Sequence, residues 1–349
     1  VVVFTGGLGP TDADLTKETV AAALGLTVEL IPEEAERLKK HFETRGYVFT
    51  PNNLKQASFP KSAIILPNAF GTAPGCIMTA ENKTAILLPG PPRELFPMFK
   101  NHVMPYLEQI SGNKLYSREL RIFGKGESSL TYELRDIIEH QTNPTVAPYV
   151  KTGEVTLRVT ALCQNQAEGE ALAEPMIRTI LERVGDVVYS TTGESLPETC
   201  ARLLADDHLT LALAESCTGG LLASELVAIP GCSKFLLEGC VAYSDDAKMR
   251  RLGVKPETLE QFSAVSEACA REMAEGVRAA SGASYALATT GYAGPDGGTE
   301  EDPVGTVYIA LASAAGTQVK RIRLFGERAR IREIACLHAF DLLRRTLCQ

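Results

Sequence analysis

The chain has 349 residues, of which 45% are hydrophobic and 22% are charged, and its formal net charge is −8 at pH 7. This length predicts two or three domains, and the composition excludes an intrinsically disordered chain. The acidic balance argues against a general nucleic-acid-binding protein.

The nine cysteines are scattered along the chain without a C-x-x-C pair, which indicates neither a disulfide framework nor a zinc site. A reducing compartment therefore fits best. No apolar run approaches the ~18 to 20 residues that span a bilayer, and no signal peptide is visible. We therefore expect a cytoplasmic protein that does not contact a membrane.

The first segment reads as a strand, a glycine-rich turn and a helix, in the order VVVF, TGGLGPTDAD and a helical stretch that closes at Gly25. Such a turn presents backbone N–H groups to an anion, and a carboxylate in it could hold a hard cation beside a phosphate. The candidates are Gly6, Gly7, Gly9 and Asp14. Because the chain opens in a strand without an initiator methionine, we expect the numbering to start partway through a domain.

The middle of the chain has a different pattern, which begins at Leu115. Strands are predicted at 117–123, 154–162 and 187–189, and helices at 127–139 and 167–184. This order predicts a small α+β unit, and the run TTGES that follows it reads as a linker.

The last part of the chain is organised around a strand, a tight turn and a helix. An apolar run from Leu209 to Ala214 is followed by ESCTGG and by a helical stretch from Leu221 to Val227. Such a turn places a side chain beside the N–H groups of a helix that have no intrahelical partner. Ser216 lies there and is a candidate nucleophile, whereas the alternative is an ordinary helix start.

A serine hydroxyl needs a base, and no histidine lies close in the sequence. Tyr243 and Lys248 follow in the run VAYSDDAK. A lysine that is shielded from water holds its proton less tightly and can act as a base near neutral pH. We therefore favour a Ser-Lys pair bridged by the tyrosine hydroxyl. The alternatives are a solvated surface lysine and a half-buried packing tyrosine.

A second strand in the same part of the chain, Tyr285 to Thr289, runs into another glycine-rich loop, TGYAGPDGG. Glycine permits close approach of the backbone to a ligand. Two such loops are hard to explain by folding alone, and the candidates for the pocket are Thr290, Gly291, Gly294 and Gly297. Helices predicted at 196–206, 257–262, 268–281 and 329–347 interleave with strands at 304–311 and 318–325, which predicts an α/β sandwich.

Several long motifs in this part carry a family resemblance. The segments AESCTGG, VAYSDDAK, SAVSE, TTGYAGPDGGTEEDPVGTVY and GERARIRE resemble the nicotinamide-nucleotide amidase domain of the CinA family. The resemblance implies hydrolysis of the carboxamide of nicotinamide mononucleotide (NMN) to nicotinate mononucleotide and ammonia, without a cofactor. It implies Ser216, Tyr243 and Lys248 as the catalytic set, rather than the neighbouring Cys217. Asp245 stands where the family usually has asparagine.

The segments TGGLGPTDADLTKE, PNNLKQA, GTAPG and LPGPPREL resemble the molybdopterin-binding-like domain of the same family. This resemblance implies a doubly wound α/β fold and, in some members, cleavage of ADP-ribose to AMP and ribose 5-phosphate with a divalent metal such as Mg²⁺. It adds Gly90 and Glu94, in a rigid turn into a helix from Glu94 to Leu107, to the candidates of the first site, with Asp14 as the metal ligand. Ala13 replaces the first of two adjacent aspartates and the opening strand-helix units are absent, which argues against this activity.

The α+β unit resembles the KH-type middle domain of longer CinA proteins. A KH domain grips nucleic acid through a G-x-x-G loop, which the run GKGE at 124–127 matches only in part, so we expect a linking role. The predicted organisation is multidomain α/β. It comprises a partial doubly wound molybdopterin-binding-like domain at 1–114, a KH-type α+β domain at 115–192 and an α/β sandwich amidase domain at 193–349.

The expected reaction is acyl transfer from the carboxamide to Ser216, with Lys248 moving the proton directly or through Tyr243. We expect the backbone N–H groups at Thr218, Gly219 and Gly220 to stabilise the oxyanion. Arg328 or Arg332 is expected to bind the nucleotide phosphate, the alternative being an exposed, solvated helix face.

Two other hypotheses remain open at this point. In one, the first domain is a metal-dependent ADP-ribose pyrophosphatase and the last domain is silent. In the other, the chain is a non-catalytic nucleotide-binding scaffold. A homodimer is expected by analogy with the family.

Overall fold

The computed structural model describes residues 1–348. Tertiary contacts divide the chain into two compact units, Val1–Lys114 and Leu115–Gln349. The second unit contains a small α+β domain followed by a larger α/β domain. None of the helices in the described part combines the length and the apolar character that crossing a bilayer requires.

The first unit is a mixed α/β domain. Its strands are β1 Val2–Thr5, β2 Glu29–Leu30, β3 Ser58–Phe59, β4 Ile64–Leu66, β5 Gly75–Ala80 and β6 Lys83–Leu88. Its helices are α1 Thr16–Ala23, α2 Pro32–Thr44, α3 Pro92–Met98 and α4 Met104–Ser111, with a 3-10 turn at Pro51–Ala57. The main sheet has the order β1-β6-β5-β4, in which β1 and β6 are parallel and the other neighbours are antiparallel. The glycine-rich turn therefore follows β1 at an edge of this sheet.

The helix predicted from Glu94 to Leu107 is present but irregular. Between α3 and α4 the chain makes a π-helical turn, Phe99–Val103. Pro97 lies before this turn and Pro105 after it. A proline has no N–H to donate to the helical ladder, which explains why the hydrogen bonding changes register here.

The α+β domain has a four-stranded sheet with the order β10-β7-β9-β8. Its elements are β7 Lys114–Phe123, α5 Glu127–Glu133, α6 Arg135–His140, β8 Thr145–Lys151, β9 Glu154–Cys163, α7 Gln166–Val184 and β10 Val188–Ser190. The helix predicted at 127–139 is divided at the buried residue Leu134. Strand β8 escapes prediction because it contains Pro148, a residue that sheets tolerate at an edge such as this one.

The last domain is a five-stranded sheet between two layers of helices. Its elements are α8 Leu196–Asp206, β11 Leu211–Glu215, α9 Leu221–Val227, β12 Leu236–Val241, α10 Asp245–Leu252, α11 Pro256–Phe262, α12 Glu267–Ser281, β13 Tyr285–Gly291, β14 Thr306–Ser313, β15 Gly316–Arg323 and α13 Arg328–Leu347. The strand order is β12-β11-β13-β14-β15, and the first three strands are parallel. The sheet is therefore mixed, with its parallel part at one side.

Strand β11 is apolar from Leu211 to Ala214 and ends at Glu215, and all five of its residues are buried. Side chains that point to one side of the sheet, such as Leu211 and Leu213, pack in a core that includes residues of α8, α9 and α13. Those that point to the other side, such as Ala212 and Ala214, pack in a core with α12. A strand buried on both faces is typical of a parallel sheet covered by helices, and the predicted α/β sandwich is confirmed.

The α+β domain and the last domain share one hydrophobic core. Phe123 of β7 and Tyr189 of β10 belong to the same buried cluster as Leu196, Cys200 and Phe340 of the last domain. Close to this cluster, Arg344 of α13 donates to the backbone carbonyl of Asp186 at 3.2 Å. The two domains are therefore packed together over buried apolar surface as well as polar contacts.

Candidate active site

Three adjacent parallel strands end at the same edge of the last domain's sheet, and each leads into a predicted site residue. Strand β11 leads to Ser216, β12 leads to Tyr243, and Thr290 lies near the end of β13. The backbone N–H of Ser216 donates to the carbonyl of Thr289 at 2.9 Å, so the turn that follows β11 is fixed to β13. The carboxyl edge of a parallel sheet is where ligands bind in open α/β folds.

A cavity of about 180 Å³ lies at this edge. The polar and ionisable side chains that line it are Ser216, Cys217, Tyr243, Asp245, Lys248, Thr290, Tyr292 and Arg328. Ser216 is largely buried, with 8% of its surface exposed. The fold thus brings the predicted catalytic residues to one cavity, although Ser216 and Lys248 are 32 positions apart in the sequence (248 − 216).

Lys248 is buried beneath this cavity, with only 2% of its surface exposed. It lies on α10, whose first turn is capped by the Ser244 hydroxyl, which accepts from the N–H of Ala247 at 3.2 Å. Its Nζ donates to the backbone carbonyl of Tyr243 at 3.2 Å, and the nearest carboxylate oxygen, Asp245 Oδ1, lies 3.8 Å away. The amine is therefore shielded from water and has no tight ion pair.

The Tyr243 side chain is mostly exposed, and its hydroxyl accepts a hydrogen bond from Arg328 Nη2 at 3.1 Å. Arg328 also donates from Nη1 to the carbonyl of Gly294 at 2.7 Å, which ties the second glycine-rich loop to α13. Within residues 1–348 the tyrosine hydroxyl has no hydrogen bond to Ser216 or Lys248. Its own hydrogen is therefore still available to a ligand at the mouth of the cavity.

Glu215 is the site residue that sequence reasoning missed. Its buried carboxylate accepts from the N–H groups of Gly220, Leu222 and Ala223 at 2.9, 3.1 and 2.9 Å. The chain thus supplies its own anion to the start of α9, in the place where an unpartnered helix end would bind a phosphate.

The expectation that the N–H groups of Gly219 and Gly220 receive an oxyanion is corrected by these contacts. The N–H of Gly219 donates to the carbonyl of Ser216 at 3.1 Å, and that of Gly220 is held by Glu215. Among the described residues, no oxygen accepts the N–H of Cys217 or of Thr218. Both groups contact the Cys217 thiol instead, so an oxyanion that used them would replace that contact.

Four other predicted residues support the site from outside the cavity. Thr218 is fully buried and its hydroxyl pairs with that of Thr289 at 2.7 Å. Arg332 donates from Nη2 to the carbonyl of Thr218 at 2.7 Å, so it holds the turn. Gly294 and Gly297 have positive φ and shape the second loop, whereas Gly291 is part of the cavity wall.

The neighbouring Cys217 is buried, and burial raises the pKa of its thiol to about 12. The thiolate is the reactive form of cysteine, and a thiol with so high a pKa stays protonated at neutral pH. This favours Ser216 over Cys217 as the nucleophile of the turn.

The glycine-rich site of the first unit has no cation cage. Asp14 Oδ2 accepts from the Thr11 hydroxyl at 2.5 Å and from the Thr11 N–H at 3.0 Å, and these contacts hold the pKa of Asp14 below its usual value. Glu94 Oε2 accepts from Asn68 Nδ2 at 2.8 Å. Across the described chain, no group of three His, Cys, Asp or Glu side chains is arranged to hold a metal ion. The side chains of this site thus form no complete metal cage of their own, and a divalent metal held by Asp14 beside a phosphate stays a prediction.

The glycines of this first site have different environments. Gly6 and Gly7 adopt φ of +87° and +69°, conformations that other residues rarely adopt. A Cβ on Gly9 would lie 2.6 Å from Asp14 Oδ2, and Gly90 lies against the backbone of Gly6. Backbone conformation and close packing thus account for glycine at these four positions. Their role in ligand binding stays a prediction.

Family models match the chain in three consecutive segments. They are a probable molybdopterin binding domain at residues 1–109, the damage-inducible protein CinA KH domain at 117–190 and the CinA C-terminal domain at 193–347. The predicted family and fold class are therefore confirmed.

Individual relatives agree with these matches. A protein of Acetivibrio thermocellus whose name describes it as competence-damage inducible is 48% identical over 345 residues, which cover 99% of this chain and 84% of that protein. A CinA-like protein of Kosmotoga olearia is 47% identical over 347 residues, with the same coverage. A crystal structure of a CinA superfamily protein from Klebsiella pneumoniae is 40% identical and covers 44% of this chain and 96% of its own, with a TM-score of 0.43. The chain belongs to the CinA family.

Proposed function

We propose that this protein hydrolyses the carboxamide of NMN to nicotinate mononucleotide and ammonia. The observation that carries the proposal is the meeting of Ser216 and the buried amine of Lys248 at one small cavity. A hydroxyl beside an amine that water does not reach is the arrangement that acyl transfer without histidine requires.

The reaction proceeds in two halves. Ser216 Oγ bonds to the carboxamide carbon while its proton passes to Lys248, and the carbonyl oxygen becomes an oxyanion. When the oxyanion collapses, the C–N bond breaks and Lys248 returns the proton to the leaving nitrogen, which departs as ammonia. Water then adds to the acyl carbon while Lys248 takes one of its protons. The bond between that carbon and Ser216 Oγ breaks, Lys248 returns the proton to Oγ, and the acid leaves as the carboxylate after losing its own proton to water.

The size of the cavity favours a substrate that inserts only its amide end. At about 180 Å³ it is smaller than the ~300 to 1,000 Å³ of pockets that enclose a whole ligand. The ring and its carboxamide enter, and the ribose phosphate remains at the mouth. Arg328 and Tyr243, both exposed there, supply the charge and the hydroxyl that a phosphate and a sugar would bind.

Ammonia release from NMN tests the proposal. We expect Ser216→Ala to abolish turnover because the hydroxyl that forms the acyl intermediate is removed, and we expect the fold to persist because only one oxygen is lost. The matched control is Ser224→Ala, since Ser224 is an exposed serine on the adjacent α9. It should retain wild-type activity. Undiminished ammonia release by the Ser216 variant would exclude this nucleophile.

Binding measurements on the wild-type protein separate the enzyme from a non-catalytic scaffold. Tight binding of NMN to the wild-type protein with no ammonia release at any pH would support the scaffold instead. Because the proposed steps use only side chains of the last domain and water, activity should be unchanged when a chelator is added.

A further inference from the structure

A second, larger cavity lies on the other side of the last domain, where it meets the α+β domain. It has a volume of about 660 Å³, which is in the range of pockets that bind small molecules. One wall is the β8–β9 hairpin, with Val150 and Lys151, and the opposite wall belongs to α9 and α13, with Leu221, Arg330 and Leu337. Neither wall contains a residue of the proposed active site.

A smaller cavity of about 290 Å³ continues from it and shares Val150, Lys151, Glu154 and Arg330. Its far side is the run GKGE at 124–127, the partial G-x-x-G loop of the sequence. This loop therefore faces helix α13 across a space of small-molecule size. Together the two cavities form one cleft, which we call the hairpin cleft.

Two cations of the hairpin cleft have no partner. Lys151 and Arg330 make no hydrogen bond or ion pair with any described residue, and both line both cavities. Two of the neighbouring charges are paired, since Glu154 accepts from Arg121 and Tyr189, and Lys125 pairs with Glu133. The carboxylate of Glu127, which also lines the smaller cavity, has no hydrogen bond or ion pair with a described residue. Unpaired cations of this kind that converge on one space mark a place for an anion.

Three further polar side chains, those of His338, Glu225 and Glu333, line the rest of the cleft. His338 lines the smaller cavity, and its Nδ1 atom is buried without a hydrogen-bond partner among residues 1–348. Glu225 and Glu333 line only the larger cavity, and neither carboxylate has a partner in the described chain. The cleft thus has Lys151 and Arg330 where its two parts join, unpaired carboxylates in each part, and apolar surface between them.

We infer that the hairpin cleft binds a nucleoside monophosphate. The phosphate lies between Lys151 and Arg330, and the base packs on the apolar surface of Val150, Pro197 and Leu337. The carboxylates of Glu225 and Glu333 accept hydrogen bonds from the sugar hydroxyls. A free phosphate alone would leave the apolar wall and both carboxylates unused, which is why a whole nucleotide fits better.

The position of the cleft connects such a ligand with the site described above. Helix α9, one wall, begins directly after the turn that carries Ser216 and is held to it by Glu215. Helix α13, on the same side, holds Arg328 and Arg332, which bind Tyr243 and the Thr218 carbonyl. A ligand that shifts either helix would change the rate of the reaction. This regulatory consequence rests on the proposed function, whereas binding itself does not.

Calorimetric titration with UMP and GMP tests the inference on the full chain. Neither probe has the carboxamide of NMN, and neither is the AMP that the first domain's predicted reaction would release. We expect at least one to bind the wild-type protein, and to bind Lys151→Ala/Arg330→Ala roughly tenfold or more weakly because two charge-assisted contacts are lost. Both residues are exposed and unpaired, so the double variant should keep the wild-type unfolding midpoint.

The matched control is Arg250→Ala/Lys255→Ala, which removes the same two charges from another exposed part of the last domain. It should bind the probe as the wild type does. Ser216→Ala should also bind normally, so a failure of the proposed reaction would leave this result unaffected. If neither probe binds at millimolar concentration, or if both double variants bind equally, the inference is overturned.

Discussion

Lys248 is buried in a way that stability alone does not explain. Taking an ammonium group out of water costs several kcal/mol unless a close counter-ion compensates. The closest carboxylate oxygen is 3.8 Å away and belongs to Asp245, whose side chain is 61% exposed, and the one hydrogen bond of Nζ is to a backbone carbonyl. Ionisable groups held in such positions beside a cavity are characteristic of functional sites.

Replacing this lysine should therefore separate activity from stability. We expect Lys248→Met to lower kcat for NMN by roughly 10² to 10⁴, the usual contribution of a positioned base. We expect its thermal midpoint to equal or exceed that of the wild type, because the apolar stem is kept and a buried amine is removed. Ammonia release and thermal unfolding measure the two effects.

The control for this experiment is Lys255→Met, at an exposed lysine whose ion pair with Glu272 spans 3.9 Å. Exposed pairs of this kind contribute about 0 to 1 kcal/mol, so neither property should change much. Wild-type turnover by Lys248→Met would show that another group accepts the serine proton.

At the scale of single elements, the turn between β11 and α9 is stabilised by a side chain of the preceding strand, which caps the helix. The sequence predicts this helix correctly from Leu221 to Val227, but it does not reveal the cap. Helix starts are recognised by a small polar residue at the N-cap, and here Gly220 occupies that place with a φ of +91°. The acceptor is Glu215, five residues earlier and inside the preceding strand, a separation that no capping pattern includes.

Glu215→Gln tests how much the cap contributes. The amide keeps one acceptor oxygen but turns a nitrogen toward the remaining N–H groups, so we expect a loss of about 2 to 3 kcal/mol in the free energy of unfolding. Because the cap holds the turn that carries Ser216, ammonia release should fall as well. Urea unfolding gives the first quantity.

The comparison variant is Glu225→Gln, an exposed glutamate of the same helix whose carboxylate has no partner in the described chain. It should unfold like the wild type. Equal urea midpoints for the two variants would contradict the capping role.

Motifs predict which residues gather at the site better than they predict how each is held. Apolar runs that lead into glycine-rich turns are sufficient to place Ser216 and Thr290 at the ends of neighbouring strands. Helix α10 lacks an apolar stripe, so neither it nor the burial of Lys248 is readable from its sequence DDAKMRRL. The contact between Arg332 and the Thr218 carbonyl joins residues 114 positions apart, and only the folded chain brings them together.

At the scale of the whole molecule, the second unit is continuous across two domains. The ring of His338 on α13 packs edge-on against Phe123 of β7, with the ring centroids 4.8 Å apart. Its Nδ1 atom has no hydrogen-bond partner within the described chain. An imidazole in this position lies in the apolar contact between the domains, so its charge state affects how well they pack.

This contact predicts a loss of stability in mild acid. Burial, together with the charge of Lys320, lowers the pKa of His338 from 6.5 to about 4, although Asp341 opposes the shift. Between these two values the unfolded chain binds a proton at this residue that the folded chain does not. The stabilisation is therefore complete above pH 6.5 and is lost progressively as the pH falls toward 4.

Urea midpoints measured at pH 7 and at pH 4.5 test this sign. We expect His338→Leu to lose less stability between the two pH values than the wild type does, because leucine takes up no proton and still packs against Phe123. His140→Leu, at an exposed histidine of the α+β domain, should keep the wild-type difference. A wild-type pH dependence in the His338 variant would mean that other groups cause the acid sensitivity and that the contact between the domains tolerates a charged imidazole.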